Sequence, residues 1–311
     1  MLLHQAHYDD VGVHASALVG WRQVYDQLSK GHARTTLRHL TAERFQLFQE
    51  ILNTRVTQRG VAPAGRLCVA LPLCAAEPGV FQGRSVGEEN ITLLYGGQEF
   101  SVQAASGLDL LAITVDERRL EAVAEREFSS LELRRLARLS RLALGPPQAQ
   151  RMRQHFAGLL QYGLSTSPLS SERHLEDQVL EGLLDLLRGA IGRETVRQGN
   201  HAVSAYLVRQ SQELTLASPD EPLSVLDICA RLNVSRSTLQ RSFQSVTGLR
   251  PVEYLRAIRL NAARRTLRTS RADHLTIAHV ASDHGFVHLG HFAGYYRTLF
   301  GEHPSNTPRA S

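Results

Sequence analysis

The sequence is poor in lysine, in cysteine and in long apolar runs. Lys30 is the only lysine among 35 basic residues. Three cysteines in 311 residues are too few for a disulfide framework and predict a reducing compartment. No segment approaches the roughly 18 consecutive apolar residues of a membrane helix. The first ten residues include His4, His7, Asp9 and Asp10 instead of the basic and apolar regions of a secretory signal, so we expect a cytoplasmic protein without a membrane segment.

The remaining composition is that of a globular protein with two domains or one large one. Hydrophobic residues make up 42 % of the chain and charged residues 21 %, which excludes a collagen-like or wholly disordered protein. A length of 311 residues is about twice that of a typical domain.

The net charge of +5 is concentrated near the C-terminus. Acidic and basic residues balance over 1–198, whereas ten arginines face a single acid, Glu253, over 231–271. Such a density of positive charge favours a polyanionic partner. The alternative is that these arginines form a solvated helical surface. Charge alone does not separate DNA from RNA or an anionic membrane.

The N-terminal part mixes strand patterns with glycine turns. Short runs rich in β-branched and aromatic residues cover 44–57, 66–73, 90–104 and 108–115. Strands at this spacing, over about 35–115, predict an antiparallel sandwich or barrel. Before them, Leu18, Trp21, Tyr25 and Leu28 fall at helical spacing and predict a short amphipathic helix.

Helical patterns replace the strands over about 116–191. Three features each indicate the start of a helix: the acidic Asp116, the Pro146-Pro147 pair, and Pro168 with the serines that follow it. In the third of these helices Leu175, Val179, Leu183 and Leu186 form one apolar stripe, which either packs on the sheets or forms a homodimer interface. Residues 192–200 lack an apolar period and are predicted to link a first domain, 1–191, to a second, 201–311.

The C-terminal part contains one helical unit twice. Leu223–Val234 aligns with Leu275–Phe286 at an offset of 52, and one residue later Leu239–Pro251 aligns with Phe292–Pro304 at an offset of 53. The units cover 223–250 and 275–301, and Pro251–Thr269 reads as one long helix between them.

Each copy has the residues that a helix-turn-helix requires. A small residue permits close helix contact, a residue that tolerates positive φ makes the turn, and an apolar residue fills the corner. Nine positions are assigned to this framework: Cys229, Asn233, Leu239, Phe243, Gly285, Phe286, Phe292, Gly301 and Pro304.

The second helix of the first unit has a polar face suited to reading bases. Arginine pairs with guanine and glutamine with adenine in the major groove, whereas a merely solvated face is the alternative. The candidate base-reading residues are Arg236, Ser237, Gln240, Arg241, Gln244 and, in the second unit, His288 and Leu289. The candidate phosphate contacts are Ser235, Arg256 and Arg297, and Arg259, Arg264, Arg265 and Arg268 are either phosphate contacts or surface charges. Because the second unit has almost no net charge, we expect an asymmetric DNA contact in which the first unit dominates.

The residues from Ile277 to Pro304 resemble the C-terminal signature of the AraC/XylS family of bacterial transcription regulators. The signature runs Ile-Ala, Gly-Phe, His-Phe, an aromatic followed by a base, and Phe-Gly-x-x-Pro. The matching positions are Ile277, Ala278, Gly285, Phe286, His291, Phe292, Tyr296, Arg297, Phe300, Gly301 and Pro304. The first unit matches through Ser235, Leu239, Arg241, Phe243, Gly248 and Pro251. The sequence around His291 is most similar to that of the branch with ethanolamine-operon-type regulators.

The resemblance implies an α+β protein with an N-terminal cupin-like barrel and an all-α DNA-binding domain of two helix-turn-helix units. It also implies a bacterial, cytoplasmic and nucleoid-associated activator, without enzymatic activity or cofactor, that binds double-stranded promoter DNA. Further implied partners are a second copy of the chain, RNA polymerase and a small-molecule effector. The family's base-reading positions in the second unit fall on Leu289, Gly290 and Gly294, which lack the usual polar groups.

Other chemistries find little support in the sequence. His284, His288 and His291 approach metal-ligand spacing but straddle the predicted turn, so no metal site is assigned. The cysteines Cys68, Cys74 and Cys229 are expected to be buried free thiols. The sequence contains no catalytic motif. The rival hypothesis is a small-molecule-binding or enzymatic barrel whose basic tail binds nucleic acid without sequence preference.

Overall fold

The computed structural model describes residues 1–74, 77–165, 172–191, 201–218 and 222–310. The predicted linker, 192–200, and the predicted helix start from Pro168 to Ser171 lie outside these ranges.

Twelve strands are described, and they extend beyond the predicted 35–115. They are β1 Leu2–Tyr8, β2 Arg22–Gln27, β3 Thr35–Thr41, β4 Phe45–Leu52, β5 Val56–Val61, β6 Arg66–Cys74, β7 Gly79–Phe81, β8 Arg84–Val86, β9 Asn90–Tyr95, β10 Glu99–Ala104, β11 Leu108–Asp116 and β12 Arg141–Ala143.

The strands form two antiparallel sheets that enclose a shared interior. The first sheet has the order β1-β3-β4-β11-β6-β9-β12, and the second has the order β2-β5-β10-β7-β8. Alternation along a strand sends successive side chains to opposite faces. In β4, Phe48 packs with residues of the second sheet, whereas Phe45 and Leu47 pack against helices on the other side.

Eleven α-helices are described in the same ranges. They are α1 Val11–Ala17, α2 Glu117–Ala124, α3 Ser130–Leu136, α4 Pro146–Ser165, α5 Glu172–Ala190, α6 His201–Ala217, α7 Val225–Leu232, α8 Arg236–Thr247, α9 Pro251–Thr269, α10 Ile277–Asp283 and α11 Leu289–Phe300. None of the helices in the described ranges is long and apolar enough to cross a membrane.

The apolar stripe of α5 is buried within the same chain. Leu175, Val179, Leu183 and Leu186 are at most 1 % exposed and pack in the core shared by the first sheet and α4. These four residues were the candidates for a dimer interface, and the packing of α5 corrects that assignment. Periodicity identified a buried stripe but not the surface that covers it.

The predicted helix through Leu18, Trp21, Tyr25 and Leu28 is wrong. Residues 22–27 form β2, and a shorter helix, α1, precedes them. Positions three or four residues apart fit a helical stripe, but pairing of β2 with β5 prevails, with Tyr25 opposite Gln58.

The predicted fold class is confirmed. A sheet-rich N-terminal domain, which runs from β1 to α5 and is termed the β-domain below, is followed by a helical region from α6 to α11 with two helix-turn-helix units joined by α9. The bounds of α9 coincide with the predicted Pro251–Thr269. The helical region has its own core, in which Ile228, Phe243, Tyr254 and Phe292 are completely buried.

Candidate nucleic-acid interface

The turn of the first unit is built on a residue with positive φ. Asn233 ends α7 at φ 52° and ψ 47°, a left-handed conformation that asparagine tolerates better than most residues. The amide of Val234 then donates to the carbonyl of Cys229 at 3.0 Å. Ser235 starts α8 by accepting a hydrogen bond from the amide of Thr238 at 3.1 Å.

The second unit repeats this turn. Gly285 adopts φ 73°, and the amide of Phe286 donates to the carbonyl of Ala281 at 2.9 Å. The second helix of each unit, termed its recognition helix below, also ends on a glycine with positive φ, Gly248 for α8 and Gly301 for α11. The internal repeat in the sequence is therefore a repeat of backbone geometry.

One face of α8 is buried and the other is available to a partner. Leu239 and Phe243 are completely buried, and the Phe243 ring meets that of Tyr254 edge-on at 5.4 Å. The five candidate base-reading residues of this helix are all exposed: Arg236, Ser237, Gln240, Arg241 and Gln244. The helix thus presents two guanidinium groups, two amides and a hydroxyl on a single solvent-facing surface.

The exposed face of α11 is aromatic. His288, Leu289, Gly290, His291, Gly294, Tyr295 and Arg297 are exposed. The His291 ring lies 5.4 Å from that of His288 and 6.3 Å from that of Tyr295. No group of three or more His, Cys, Asp or Glu side chains in the described part of the chain is arranged to hold a metal ion.

Arg256 adds a positive charge to the α11 face from a neighbouring helix. It projects from α9, and its guanidinium carbon lies 4.2 Å from the centre of the Tyr295 ring. The sequence places Arg256 far from α11, and only the crossing of the two helices brings them together.

Other arginines of α9 contact the β-domain. Arg264 is 8 % exposed and forms ion pairs with Asp10, at 2.5 Å, and with Glu302. Arg265 pairs with the buried Asp26, and Arg268 lies 3.8 Å from Asp10. These arginines therefore form contacts within the chain. This differs from both predicted roles, which were a contact with phosphate and a charge on the solvent-exposed surface.

The environment of Asp10 keeps it ionised. Burial raises the pKa of Asp10, but the charge and hydrogen bond of Arg264, an amide hydrogen bond from Val13 and the charge of Arg268 outweigh burial. The pKa of Asp10 therefore lies below its ordinary value.

A cavity lies between the two sheets of the β-domain. The cavity measures about 100 Å³, and its wall includes Trp21, Phe48, Glu50, Gln58 and Phe100. The sequence does not distinguish these residues, because residues that line a cavity alternate along a strand in the same way as core residues.

The three cysteines are free, but they do not share one environment. Cys68 is buried in the wall of the cavity and Cys229 is buried in the helical core, whereas Cys74 is exposed. The expectation of buried thiols is therefore wrong for Cys74, which stands at the end of β6.

Comparisons with known proteins place the helix-turn-helix units in a known family. A family profile described as a helix-turn-helix domain matches residues 228–310. The XylDLEGF operon transcriptional activator of Pseudomonas putida is 30 % identical over 138 residues, which are 44 % of this chain and 41 % of that protein. XylDLEGF operon transcriptional activator 2 of the same species is 30 % identical over 134 residues, 43 % of this chain and 82 % of that protein.

Two further matches cover a shorter stretch of sequence or have a lower sequence identity. The probable thc operon regulatory protein of Rhodococcus erythropolis is 33 % identical over 103 residues, 33 % of this chain and 31 % of that protein. The chain spans less than half the length of the first curated relatives that it matches. The AraC-like transcriptional activator CuxR shares 14 % identity at a TM-score of 0.46, with 84 % of this chain and 95 % of CuxR covered. The chain belongs to the AraC/XylS family of bacterial transcription regulators.

Proposed function

We propose that this protein is a sequence-specific regulator of transcription that binds double-stranded promoter DNA mainly through α8. The observation that carries the proposal is the exposed face of α8, where Arg236, Arg241, Gln240 and Gln244 lie on one surface of a rigidly packed helix. Guanidinium and amide groups are the side chains that distinguish base pairs in the major groove.

The second unit is proposed to position the protein on the duplex. Its exposed face offers rings, an arginine from α9 and Arg297, with few groups that discriminate between bases. Contacts of this kind suit the sugar-phosphate backbone and groove shape. Several relatives are named transcriptional activators, which supports activation as the direction of regulation.

The β-domain is proposed to bind a small-molecule effector in the cavity between its sheets. The cavity lies between the two sheets, and part of its wall is polar. This role makes the domain a sensor without catalytic function, in line with the names of the relatives.

The test uses the full chain and a pool of random DNA duplexes from which bound sequences are selected. Arg241→Ala is expected to weaken binding to the selected sequence by about 1–3 kcal/mol and to leave binding to random DNA nearly unchanged. Arg297→Ala is expected to weaken binding to the selected sequence and to random DNA alike. It should also reduce the slope of log affinity against log salt concentration by about 1, as expected for the loss of one phosphate contact. Affinities are measured by fluorescence anisotropy at several salt concentrations.

Arg126→Ala serves as the control, because Arg126 is exposed in the β-domain. Its affinities should equal those of the unmodified chain. Selection that yields no preferred sequence, with binding governed only by salt, would favour the rival barrel with a non-specific basic tail. Equal losses for Arg241→Ala and Arg297→Ala on both DNAs would contradict the assigned roles.

A further inference from the structure

The size of the β-domain cavity limits a guest to about one small ring. Its volume is about 100 Å³, which is below the roughly 150 Å³ of an apolar protein cavity that holds a benzene molecule. Trp21 meets both Phe48 and Phe100 edge-on, each at a centroid distance of 5.8 Å. Ring edges and faces of this kind favour a flat aromatic guest.

Two hydrogen-bond donors at this cavity have no partner among the described residues. They are the indole nitrogen Nε1 of Trp21 and the amide nitrogen Nε2 of Gln58, and both atoms are buried. Gln58 is only 4 % exposed, so the cavity is where its amide can find a partner. A buried donor without a partner is costly, and these two therefore favour a guest with a hydrogen-bond acceptor.

The only charged side chain in the described wall of the cavity is a carboxylate. Glu50 is 2 % exposed, and its Oε1 accepts hydrogen bonds from the Tyr25 hydroxyl at 2.7 Å and from His14 Nε2 at 2.8 Å. Both of these bonds go to Oε1, so Oε2 is the acceptor that remains for a guest. Burial, followed by the charge of Glu50, raises the pKa of the nearby Cys68 thiol, consistent with a negative potential along this wall.

This arrangement discriminates between guests by charge. The wall has no arginine, lysine or histidine to pair with an anion. A carboxylate guest offers only acceptors, and it would bring a second negative charge beside Glu50 in a site of low dielectric constant. An uncharged amide of the same shape offers an acceptor for Trp21 and Gln58 and a donor for Glu50.

We propose that the effector of this protein is an uncharged aromatic molecule of about one ring, with a hydrogen-bond acceptor beside a donor, and that the cavity rejects carboxylates. The proposal rests on the effector role proposed above for the β-domain. It adds the chemical class of the effector and the residues that select it: Trp21, Glu50 and Gln58.

The test compares benzamide with benzoate, which have the same shape and differ in charge and in their donors. Isothermal titration of the full chain at pH 7.5 is expected to give benzamide an affinity at least tenfold higher than that of benzoate. Equal or tighter binding of benzoate would overturn the proposal, and so would the absence of benzamide binding at millimolar concentration. DNA binding by the same preparations is measured separately, so that failure of the DNA-binding function and failure of the effector class give different results.

Two substitutions separate recognition from folding. Gln58→Leu removes an unpaired donor at similar volume, so it should weaken benzamide binding at least fivefold and yet raise Tm. Glu50→Gln should reduce the preference for benzamide over benzoate at least fivefold, with unchanged circular dichroism showing that the fold is retained. Gln161→Leu, on the exposed surface of α4, is the control and should change neither quantity.

A Gln58→Leu variant with lower Tm and unchanged benzamide affinity would show a purely structural role and overturn the assignment of Gln58. An unchanged preference in a folded Glu50→Gln variant would overturn the role of Glu50 in selecting charge.

Discussion

His39 shows how burial of one side chain in the first sheet creates pH dependence. It lies in β3, is 2 % exposed, and its Nε2 is 2.6 Å from the Thr41 hydroxyl oxygen. Burial and the nearby His4 lower the pKa of His39 to about 4, although the charge of Glu50 acts in the opposite direction. The imidazole is therefore neutral in the folded protein at pH values where it is protonated in the unfolded chain.

The free energy of unfolding should consequently fall as the solution becomes acidic. The contribution of neutral His39 is complete above pH 6.5, its ordinary pKa, and is lost progressively as the pH falls to about 4. The loss amounts to about 3 kcal/mol over this range. Urea unfolding at several pH values should show a smaller decrease for His39→Gln than for the unmodified chain, whereas His303→Gln, at an exposed site, should change nothing. A His39→Gln variant with the same pH slope as the unmodified chain would contradict this account.

At the scale of elements, the turn of the first helix-turn-helix depends on the backbone conformation of Asn233. Alanine is disfavoured at φ 52°, whereas glycine is not. Asn233→Ala should lower the free energy of unfolding by about 1 kcal/mol, and Asn233→Gly should leave it nearly unchanged. Urea unfolding of the two variants provides the measurement, and equal stability of Ala and Gly would show that the left-handed turn is not formed.

The helix-turn-helix units could be predicted from sequence because their geometry is local. The small residue, the turn residue and the first capping residue lie within seven positions, from Cys229 to Ser235, and each has a stereochemical role independent of the rest of the fold. The helix that joins the two units, α9, could also be predicted from the sequence, since Pro251 fixes its start and an apolar stripe follows.

Features that depend on distant contacts could not be predicted. Arg264 and Arg265 look like solvent-facing charges in the sequence, because their partners Asp10 and Asp26 precede them by more than 200 residues. The acceptors and donors of the cavity were hidden for a different reason: Glu50 and Gln58 are close in sequence but lie on different sheets, and they line one cavity only when the two sheets pack together. Local periodicity shows that a surface is buried, but the partner is fixed by topology.

At the scale of the molecule, the β-domain holds the ends of both recognition helices. The Arg55 guanidinium donates to the carbonyl of Thr247, the last residue of α8, at 3.2 Å. The amide of Gly31 and the side chain of Gln27 donate to the carbonyl of Leu299, near the end of α11, at 3.0 and 2.7 Å. The orientation of the two helices is thus tied to the β-domain at two points.

Between these points, α9 is joined to β2 by polar contacts. The Asn261 side chain accepts a hydrogen bond from the amide of Gln27 at 2.8 Å and donates to its carbonyl at 2.9 Å. The same helix contributes Arg264, which reaches Asp10 at the start of α1. Since α1 also carries His14, which contacts Glu50 of the cavity, one short helix touches both the proposed effector site and the helical region.

The ion pair between Asp10 and Arg264 should therefore contribute measurably to the stability of the docked arrangement. Asp10→Asn retains an N-cap for α1, because asparagine caps as well as aspartate, but it removes the charge that faces Arg264. Removing one partner of a buried ion pair costs about 3–5 kcal/mol where the other charge is left unpaired, but Arg264 keeps its pair with Glu302, so the free energy of unfolding in urea at pH 7 should fall by about 2 kcal/mol. Because the pKa of Asp10 is lowered, this contribution is complete above pH 3.8 and is lost as the pH falls further, and the difference between the two proteins should shrink in that range. Asp9→Asn, at the exposed neighbouring position, is the control, and a loss below about 1 kcal/mol for Asp10→Asn would contradict a stabilising role for the contact.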